Sequence, residues 1–331
     1  MKIIVDGFGG DNAPLEILKG AADAVAEYGV SVLMTGDKEA LRRCAKENDI
    51  ALDGIEIVHA SDVLSMEDNP LMLMKEKKNS SIAVAFDLLQ SGQGNALVSA
   101  GNTGALVVGG NLIIRTVPGI KRAAIATVMP TNKEPVMVLD SGANMVCSPE
   151  SFVQFGVMGS AYMNRIMGVA NPRVGLANIG TERIKGTKLQ TEAYDLMETS
   201  GLNFVGNAEV RDIPFGFCDV VVADGFTGNV ILKMYEGVAG ALMQNIKAVF
   251  MQNMLTKLSA LLVKDGLKGL KSKMDYSEYG GAPLLGLKKC VIKAHGSSDA
   301  KSLKNAIRQA TTFVERDVIE EISQNLPASR S

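Results

Sequence analysis

Residues 219–237 read DVVVADGFTGNVILKMYEG, and this stretch decides the class of fold. The unbroken apolar run 220–223 is typical of a strand that is buried on both faces of a parallel sheet. A polar turn with glycine follows, and apolar residues then return at helical spacing. Backbone N–H groups are unpaired where a helix begins, so this turn is either a plain structural turn or an anion site. In an anion site, side-chain donors and acceptors would come from Asp224, Thr227 and Asn229.

The same order of strand, glycine turn and helix recurs along the chain. Apolar runs predict strands at residues 3–5, 31–34, 55–59, 96–99, 123–129, 136–139, 174–177, 203–205, 220–223 and 291–294. Helical spacing between them predicts helices that include residues 70–78 and 300–323. This alternation predicts a three-layer α/β/α fold with a mostly parallel sheet. No repeat or linker divides the chain, so we expect one α/β catalytic body over residues 1–331.

Six of the predicted strands end in loops that combine glycine with polar side chains. They are the loops after Val5, Ser99, Leu139, Ala177, Ala223 and Ala294. Carboxyl ends of parallel strands share one edge of a sheet, and ligands of open α/β sheets bind at that edge. We therefore predict that the six loops form a single polar cleft.

Composition argues against several classes of function. A net charge of -2 over 331 residues gives no basic excess for binding nucleic acid. The four cysteines are scattered and the only histidines are His59 and His295, so neither a disulfide framework nor a metal site is expected. The N-terminal residues show no cationic leader and no apolar run is long enough to span a bilayer, which predicts a cytoplasmic protein.

Sequence motifs of three common enzyme classes are also missing. Asn12 occupies the place of the third glycine of a dinucleotide fingerprint that begins at Gly7. Lys185 precedes Gly186 instead of following a glycine, so the loop after Ala177 is no standard nucleotide cradle, although its lysine can still hold phosphate. The nucleophile elbow Gly-x-Ser-x-Gly is absent, so a covalent acyl-enzyme has no support.

Six motifs in the same order resemble the bacterial phosphate acyltransferase family of phospholipid synthesis across almost the whole chain. They are DGFGGD at 6–11, SAGNTGA at 99–105, NIGTE at 178–182, the stretch 219–237, YSEYGGAPLLG at 276–286 and KAHGSS at 293–298. Gly7 and Ser141 depart from residues that are usual in the family. The resemblance implies a relative of the phosphate acetyltransferase and isopropylmalate-dehydrogenase-like folds. It also implies transfer of an acyl group from acyl-[acyl-carrier protein] to inorganic phosphate, without a cofactor.

Phosphate is then itself the nucleophile, and the enzyme must aim it and stabilise the oxyanion. The candidate catalytic residues are Lys185, Asn229 and His295, although a lone histidine in a turn is also an ordinary structural feature. Candidate substrate-binding residues are Asn102, Thr103, Gly180, Thr181, Asp224, Thr227 and Ser297. Asp140 and Asp224 are expected to organise loops, because a carboxylate beside phosphate repels it.

Residues 241–274 combine apolar residues at helical spacing with six lysines against one acidic residue, Asp265. This pattern predicts an amphipathic helix pair within a helical segment of residues 238–282. Its surface is a candidate for a homodimer interface, an anionic membrane or the acidic carrier protein. The contact residues would be Lys257, Leu258, Leu262, Lys264, Lys268 and Lys271.

Three functions remain open on the sequence alone. The first is the carrier-protein-dependent phosphate acyltransferase, with a glycerol-3-phosphate acyltransferase as the downstream partner that consumes its product. The second is a coenzyme A-dependent phosphate acetyl- or butyryltransferase. The third is a non-catalytic scaffold that binds a phosphate ligand, which the fold alone does not refute.

Overall fold

The computed structural model describes residues 1–273 and 279–326, without the side chains of residues 270–273. The strands are β1 Lys2–Asp6, β2 Ser31–Gly36, β3 Ile55–His59, β4 Ala96–Ser99, β5 Ala124–Met129, β6 Val136–Leu139, β7 Val174–Asn178, β8 Phe204–Glu209, β9 Val220–Val222, β10 Ala282–Leu285 and β11 Cys290–Lys293. The α-helices are α1 Leu15–Tyr28, α2 Lys38–Glu47, α3 Ser81–Gln90, α4 Thr103–Gly109, α5 Pro149–Arg165, α6 Lys188–Glu198, α7 Gly225–Phe250, α8 Met254–Leu262, α9 Lys264–Lys273, α10 Ala300–Glu315 and α11 Val318–Asn325.

The eleven strands form one continuous sheet in the order β3-β2-β1-β4-β11-β10-β5-β6-β9-β7-β8. Strands β3, β2, β1, β4 and β11 are parallel to one another, and so are β6, β9, β7 and β8. The prediction of a mostly parallel sheet is thereby confirmed. However, β10 is antiparallel to both β11 and β5, and β5 is antiparallel to β6. The two parallel blocks therefore run in opposite directions.

This reversal overturns the prediction that six loops share one edge of the sheet. The loops after β1, β4 and β11 lie at one edge, and those after β6, β7 and β9 lie at the other. The turning point is β10, which the sequence did not reveal because Pro283 interrupts an already short apolar run.

Two helix predictions also need correction. Residues 70–78 form only a short 3₁₀ turn, Pro70–Met74, and the long C-terminal helix is divided into α10 and α11. The break falls at Asp317, whose φ of 49° is left-handed.

Helices cover both faces of the sheet, which gives the expected three layers. Along β1, the side chains of Ile3 and Val5 join one buried cluster and that of Ile4 joins another, because successive side chains of a strand point to opposite faces. A third cluster packs α7 through Ile231 against the second block of strands. The core therefore extends across the whole sheet.

The helical segment leaves this core after the first turns of α7. Only Gly225, Gly228 and Ile231 of α7 are buried, and no residue of α8, all of which is described, is buried. Leu258 and Leu262 are 61% and 85% exposed. None of the described helices is both long and apolar enough to pass through a bilayer.

Candidate active site

A cavity of about 520 Å³ lies beside β10, where the strand direction reverses. One block of the sheet contributes Asp11, Thr103, Lys293 and residues 294–298 to its wall. The other block contributes Ser141 and Gly142 and, from α7, Asn229, Leu232, Lys233 and Glu236. The rest of the wall consists of Ile125, Thr127 and Val128 of β5 and residues 279–282. Four of the six predicted loops, and the helix that follows a fifth, therefore meet at one cavity across the reversal.

Lys293 lies at the end of β11 and is only 9% exposed. Its Nζ donates to the carbonyl oxygen of Ala100 at 3.2 Å and to that of Ala294. Burial lowers the pKa of Lys293 to about 8, a shift that Lys233 reinforces and the carboxylates of Asp11 and Asp6 oppose. The sequence analysis missed this ammonium, which places a cation at the cavity wall.

The loops after β1, β4 and β11 are fixed to one another by hydrogen bonds. The buried carboxylate of Asp6 accepts from Ser99 Oγ at 2.7 Å, and burial raises the pKa of Asp6. The amide of Asp11 donates to the carbonyl oxygen of Gly296 at 2.8 Å. Asn12 Nδ2 donates to the carbonyl oxygens of Ser297 and Ser298 at 3.1 and 3.2 Å. The KAHGSS motif is thus held against the first glycine loop.

His295 is exposed in the loop after β11 and faces the cavity. Its Nδ1 accepts from the amide of Ser297 at 3.2 Å and lies 2.8 Å from Ser297 Oγ. Partial desolvation by the surrounding protein lowers the pKa of His295, and the ammonium groups of Lys233 and Lys293 lower it further. A lowered pKa favours the neutral imidazole at pH 7, and the amide that donates to Nδ1 favours the tautomer with its proton on Nε2.

Asp140 organises the loop after β6, as expected. Its Oδ1 accepts from the amides of Ile125, Gly142 and Ala143 at 3.0, 3.1 and 3.0 Å. Its Oδ2 accepts from the amide and the side-chain nitrogen of Asn144 at 2.6 and 2.9 Å. Burial raises the pKa of Asp140, and these hydrogen bonds oppose the rise. The network fixes Gly142 at the cavity wall.

The start of α7 is closed against that loop, which favours the structural turn over the anion site. The amide of Gly225 donates to the carbonyl oxygen of Asn144 at 2.8 Å. Asp224 accepts from the amide and the hydroxyl of Thr227 at 2.9 and 2.7 Å. Neither Asp224 nor Thr227 lines the cavity, whereas Asn229, further along the helix, does.

The loop after β7 lies outside the cavity wall, and so do its predicted residues Gly180, Thr181 and Lys185. Lys185 Nζ lies 3.9 Å from the carboxylate of Glu182, and its side chain is 45% exposed. Because β9 separates β7 from β6, the loop lies at the same sheet edge as Ser141 but two strands further out.

The side chain of Asn102, a predicted substrate-binding residue near β4, makes local hydrogen bonds. Asn102 caps α4, since its Oδ1 accepts from the amide of Ala105 at 3.0 Å. Its Nδ2 donates to the carbonyl oxygens of Ser65 and Met66, both at 3.1 Å. The side chain of the next residue, Thr103, lines the cavity.

The cavity combines cations, hydroxyl groups and an apolar wall. Lys233 of α7 is a second cation that the sequence analysis missed, and its Nζ lies 2.9 Å from Glu236. Ile125, Val128 and Leu232 form the apolar part. Burial raises the pKa of the neighbouring thiol of Cys147 to about 11, so this thiol is protonated at pH 7. The arrangement suits an anion beside an apolar acyl group, without a cysteine nucleophile.

Comparisons with known proteins bear on the family and the fold. The family described as "Fatty acid synthesis protein" matches residues 1–321. The phosphate acyltransferases of Alkaliphilus oremlandii and Thermoanaerobacterium thermosaccharolyticum are 45% and 46% identical over 326 residues, which is 98% of this chain and 97% of each relative.

Solved structures show the same fold. The EutD phosphotransacetylase of Staphylococcus aureus matches with a TM-score of 0.61 and 16% identity over 98% of this chain and 94% of that one. A phosphotransacetylase of Streptococcus pyogenes matches with a TM-score of 0.63 and 16% identity over 95% of this chain and 94% of that one. The expected phosphate acetyltransferase fold is thereby confirmed.

Proposed function

We propose that this chain, which belongs to the phosphate acyltransferase family, transfers a fatty acyl group from acyl-[acyl-carrier protein] to inorganic phosphate and releases acyl phosphate. The protein is an acyltransferase, as its curated relatives are. One observation carries the choice of reaction: a single cavity joins the buried ammonium of Lys293 to an apolar wall. A phosphate dianion and the first carbons of an acyl chain need that combination.

The reaction requires no covalent acyl-enzyme. A phosphate oxygen attacks the thioester carbonyl, a tetrahedral oxyanion forms, and the C–S bond breaks to release the carrier thiolate, which takes up a proton. Asn229 is proposed to donate to phosphate or the oxyanion from α7. The neutral imidazole of His295 presents an Nε2 proton for the same oxyanion or for the thiolate, whose ordinary pKa is about 8.5.

The helical segment is the proposed contact surface for the carrier, the membrane and a second copy of the chain. Lys257, Lys264 and Lys268 are exposed on α8 and α9, where Asp265 is the only acidic residue among those described. Such a basic surface favours an acidic carrier protein or anionic lipid. Lys271 and residues 274–278 of the proposed segment lie outside the described side chains.

The reaction is tested by trapping acyl phosphate as hydroxamate. Purified protein is incubated with phosphate and either palmitoyl-carrier protein or palmitoyl-coenzyme A. We expect phosphate-dependent hydroxamate with the carrier-protein substrate and much less with coenzyme A. Preference for coenzyme A would instead assign the second function, and absence of product from both donors would leave a non-catalytic phosphate-binding protein. A purified glycerol-3-phosphate acyltransferase should consume the product.

Lys185 is proposed as a further phosphate contact from the loop after β7. Replacing Lys185 with Ala is expected to lower kcat/KM for phosphate by about 30- to 150-fold, because a charge-assisted contact contributes about 2 to 3 kcal/mol. Lys188→Ala is the matched control, since Lys188 is 88% exposed and pairs with Glu192. An unchanged phosphate dependence in Lys185→Ala would remove Lys185 from the site and leave the cationic role to Lys233 and Lys293.

A further inference from the structure

On the premise of the proposed function, we propose that Lys293 and Ser298 form the subsite that holds inorganic phosphate during the transfer. Both residues line the cavity and both are at least nine-tenths buried, with exposures of 9% and 4%. They belong to the same KAHGSS motif, whose backbone is fixed by Asn12 and by the bond between Asp11 and Gly296. The subsite is therefore rigid before phosphate arrives, which reduces the entropic cost of binding.

The hydroxyl of Ser298 supplies the first argument. Its Oγ is buried and has no hydrogen-bond partner among the described residues. Leaving a buried polar group unpaired costs about 1 to 3 kcal/mol, so native structures rarely keep such a group without a reason. An anionic oxygen in the cavity would accept the hydroxyl proton.

The ammonium of Lys293 supplies the second argument. Two carbonyl oxygens, those of Ala100 and Ala294, accept from its Nζ, whereas an ammonium has three protons to donate. A buried ammonium needs a counter-charge, and Asp6 and Asp11 act on Lys293 only through space. A phosphate dianion would offer both the missing acceptor and the counter-charge.

The surrounding charges predict how binding depends on pH. Asp6 at the end of β1, Asp11 from the first glycine loop and Lys233 from α7 act on Lys293 through space. The neighbouring His295 is in turn acted on by Lys293, Lys233, Glu236 and Asp11. Because burial lowers the pKa of Lys293 to about 8, the free enzyme loses this cation as the pH rises above 8. Phosphate is already dianionic at that pH and does not change its charge further. A decline in phosphate affinity above pH 8 should therefore come from deprotonation of Lys293.

The test is calorimetric titration of inorganic phosphate into the purified full-length protein without any acyl donor. Lys293→Met should weaken phosphate binding by about tenfold to a hundredfold and abolish the decline above pH 8. Ser298→Ala, which leaves the charge in place, should weaken it by about three- to tenfold. Lys289→Met is the matched control, because Lys289 Nζ also donates to two carbonyl oxygens, those of Leu89 and Gln90, but lies outside the cavity wall.

Unchanged phosphate affinity in folded Lys293→Met and Ser298→Ala proteins would overturn the subsite. So would a defect confined to KM for the acyl-carrier substrate, since the phosphate group recognised here would then be the phosphodiester of the carrier's prosthetic group. Failure of the proposed reaction can be distinguished from failure of the subsite. If phosphate binds in a Lys293-dependent manner and no hydroxamate forms, the subsite stands and the proposed reaction falls. If hydroxamate forms with an unaltered phosphate KM in Lys293→Met, the proposed reaction stands and the subsite falls.

Discussion

Replacing Gly228 with Ala is expected to destabilise the protein by about 3 kcal/mol or more, because overpacking against backbone cannot relax by a change of rotamer. A Cβ at residue 228 would lie 1.9 Å from the carbonyl oxygen of Asp140. Unfolding in guanidinium chloride, monitored by circular dichroism, measures the loss. Either α7 must shift away from β6 or the loop after β6 must move.

Gly237→Ala is the matched control on the same helix. A Cβ at residue 237 would meet no heavy atom within 4 Å, and alanine is the better helix former by about 1 kcal/mol. Gly237→Ala should therefore be neutral or slightly stabilising. Equal unfolding free energies for the two variants would show that α7 packs less closely on the loop after β6 than the 1.9 Å distance at residue 228 requires.

The close contact at Gly228 also sets the geometry of the site. Asn229 is the next residue of α7, and Asp140 fixes Gly142 through its hydrogen-bond network. Both sides of this contact therefore contribute to the cavity wall. Any Gly228→Ala protein that folds should lose activity as well as stability, since a misplacement of about 1 Å is enough to reduce catalysis by about a hundredfold.

The fold was largely predictable because its strands are buried on both faces. Runs such as residues 220–223 are apolar throughout, which identifies parallel strands without any tertiary information. The direction of those strands was less predictable. It depends on β10, where Pro283 is paired with Ile292 in a strand of four residues. A proline in so short an apolar segment is a typical sequence signal of a loop, so the sequence analysis did not predict this strand and missed the reversal of the sheet.

The lining of the cavity was predictable in part, where polar residues follow strands. Thr103, Asn229, His295 and Ser297 line the cavity, as strand-end positions suggested. Lys293 was missed because it is the last residue of β11 and not part of the loop that follows. A single lysine within the otherwise apolar run 290–294 was an available signal of a buried cation.

Sequence position does not tell how far two strand ends lie apart across the sheet. The loop that carries Lys185 follows a strand with the same pattern as its neighbours, yet it is absent from the cavity wall. Asp224 caps α7 by accepting hydrogen bonds from the amide and the hydroxyl of Thr227, and these local bonds compete with any ligand.

Leu258→Glu combined with Leu262→Glu is expected to weaken binding to anionic vesicles by at least a hundredfold. These side chains are 61% and 85% exposed on α8, and burying a leucine contributes about 1.5 to 3 kcal/mol each. Met254 and Leu255, 87% and 78% exposed, extend the same apolar surface. Monomeric soluble proteins seldom expose so large an apolar patch, so a membrane or a protein surface should cover it.

Vesicle sedimentation measures the loss, and analytical ultracentrifugation of the same samples reports the oligomeric state. Gln252→Glu with Ser259→Glu is the control, because it adds the same two charges in and beside α8 without removing apolar surface. It should reduce binding by less than the leucine variant, since a charge near an anionic bilayer is worth about 1 kcal/mol. The leucine variant should remain folded and keep its kcat on the soluble carrier substrate, because α8 contributes no residue to the cavity wall. Its KM for that substrate should rise, because the added negative charges lie on the proposed surface for an acidic carrier. Unaltered vesicle binding, or dissociation of a homodimer, would instead assign α8 to packing against a second copy of the chain.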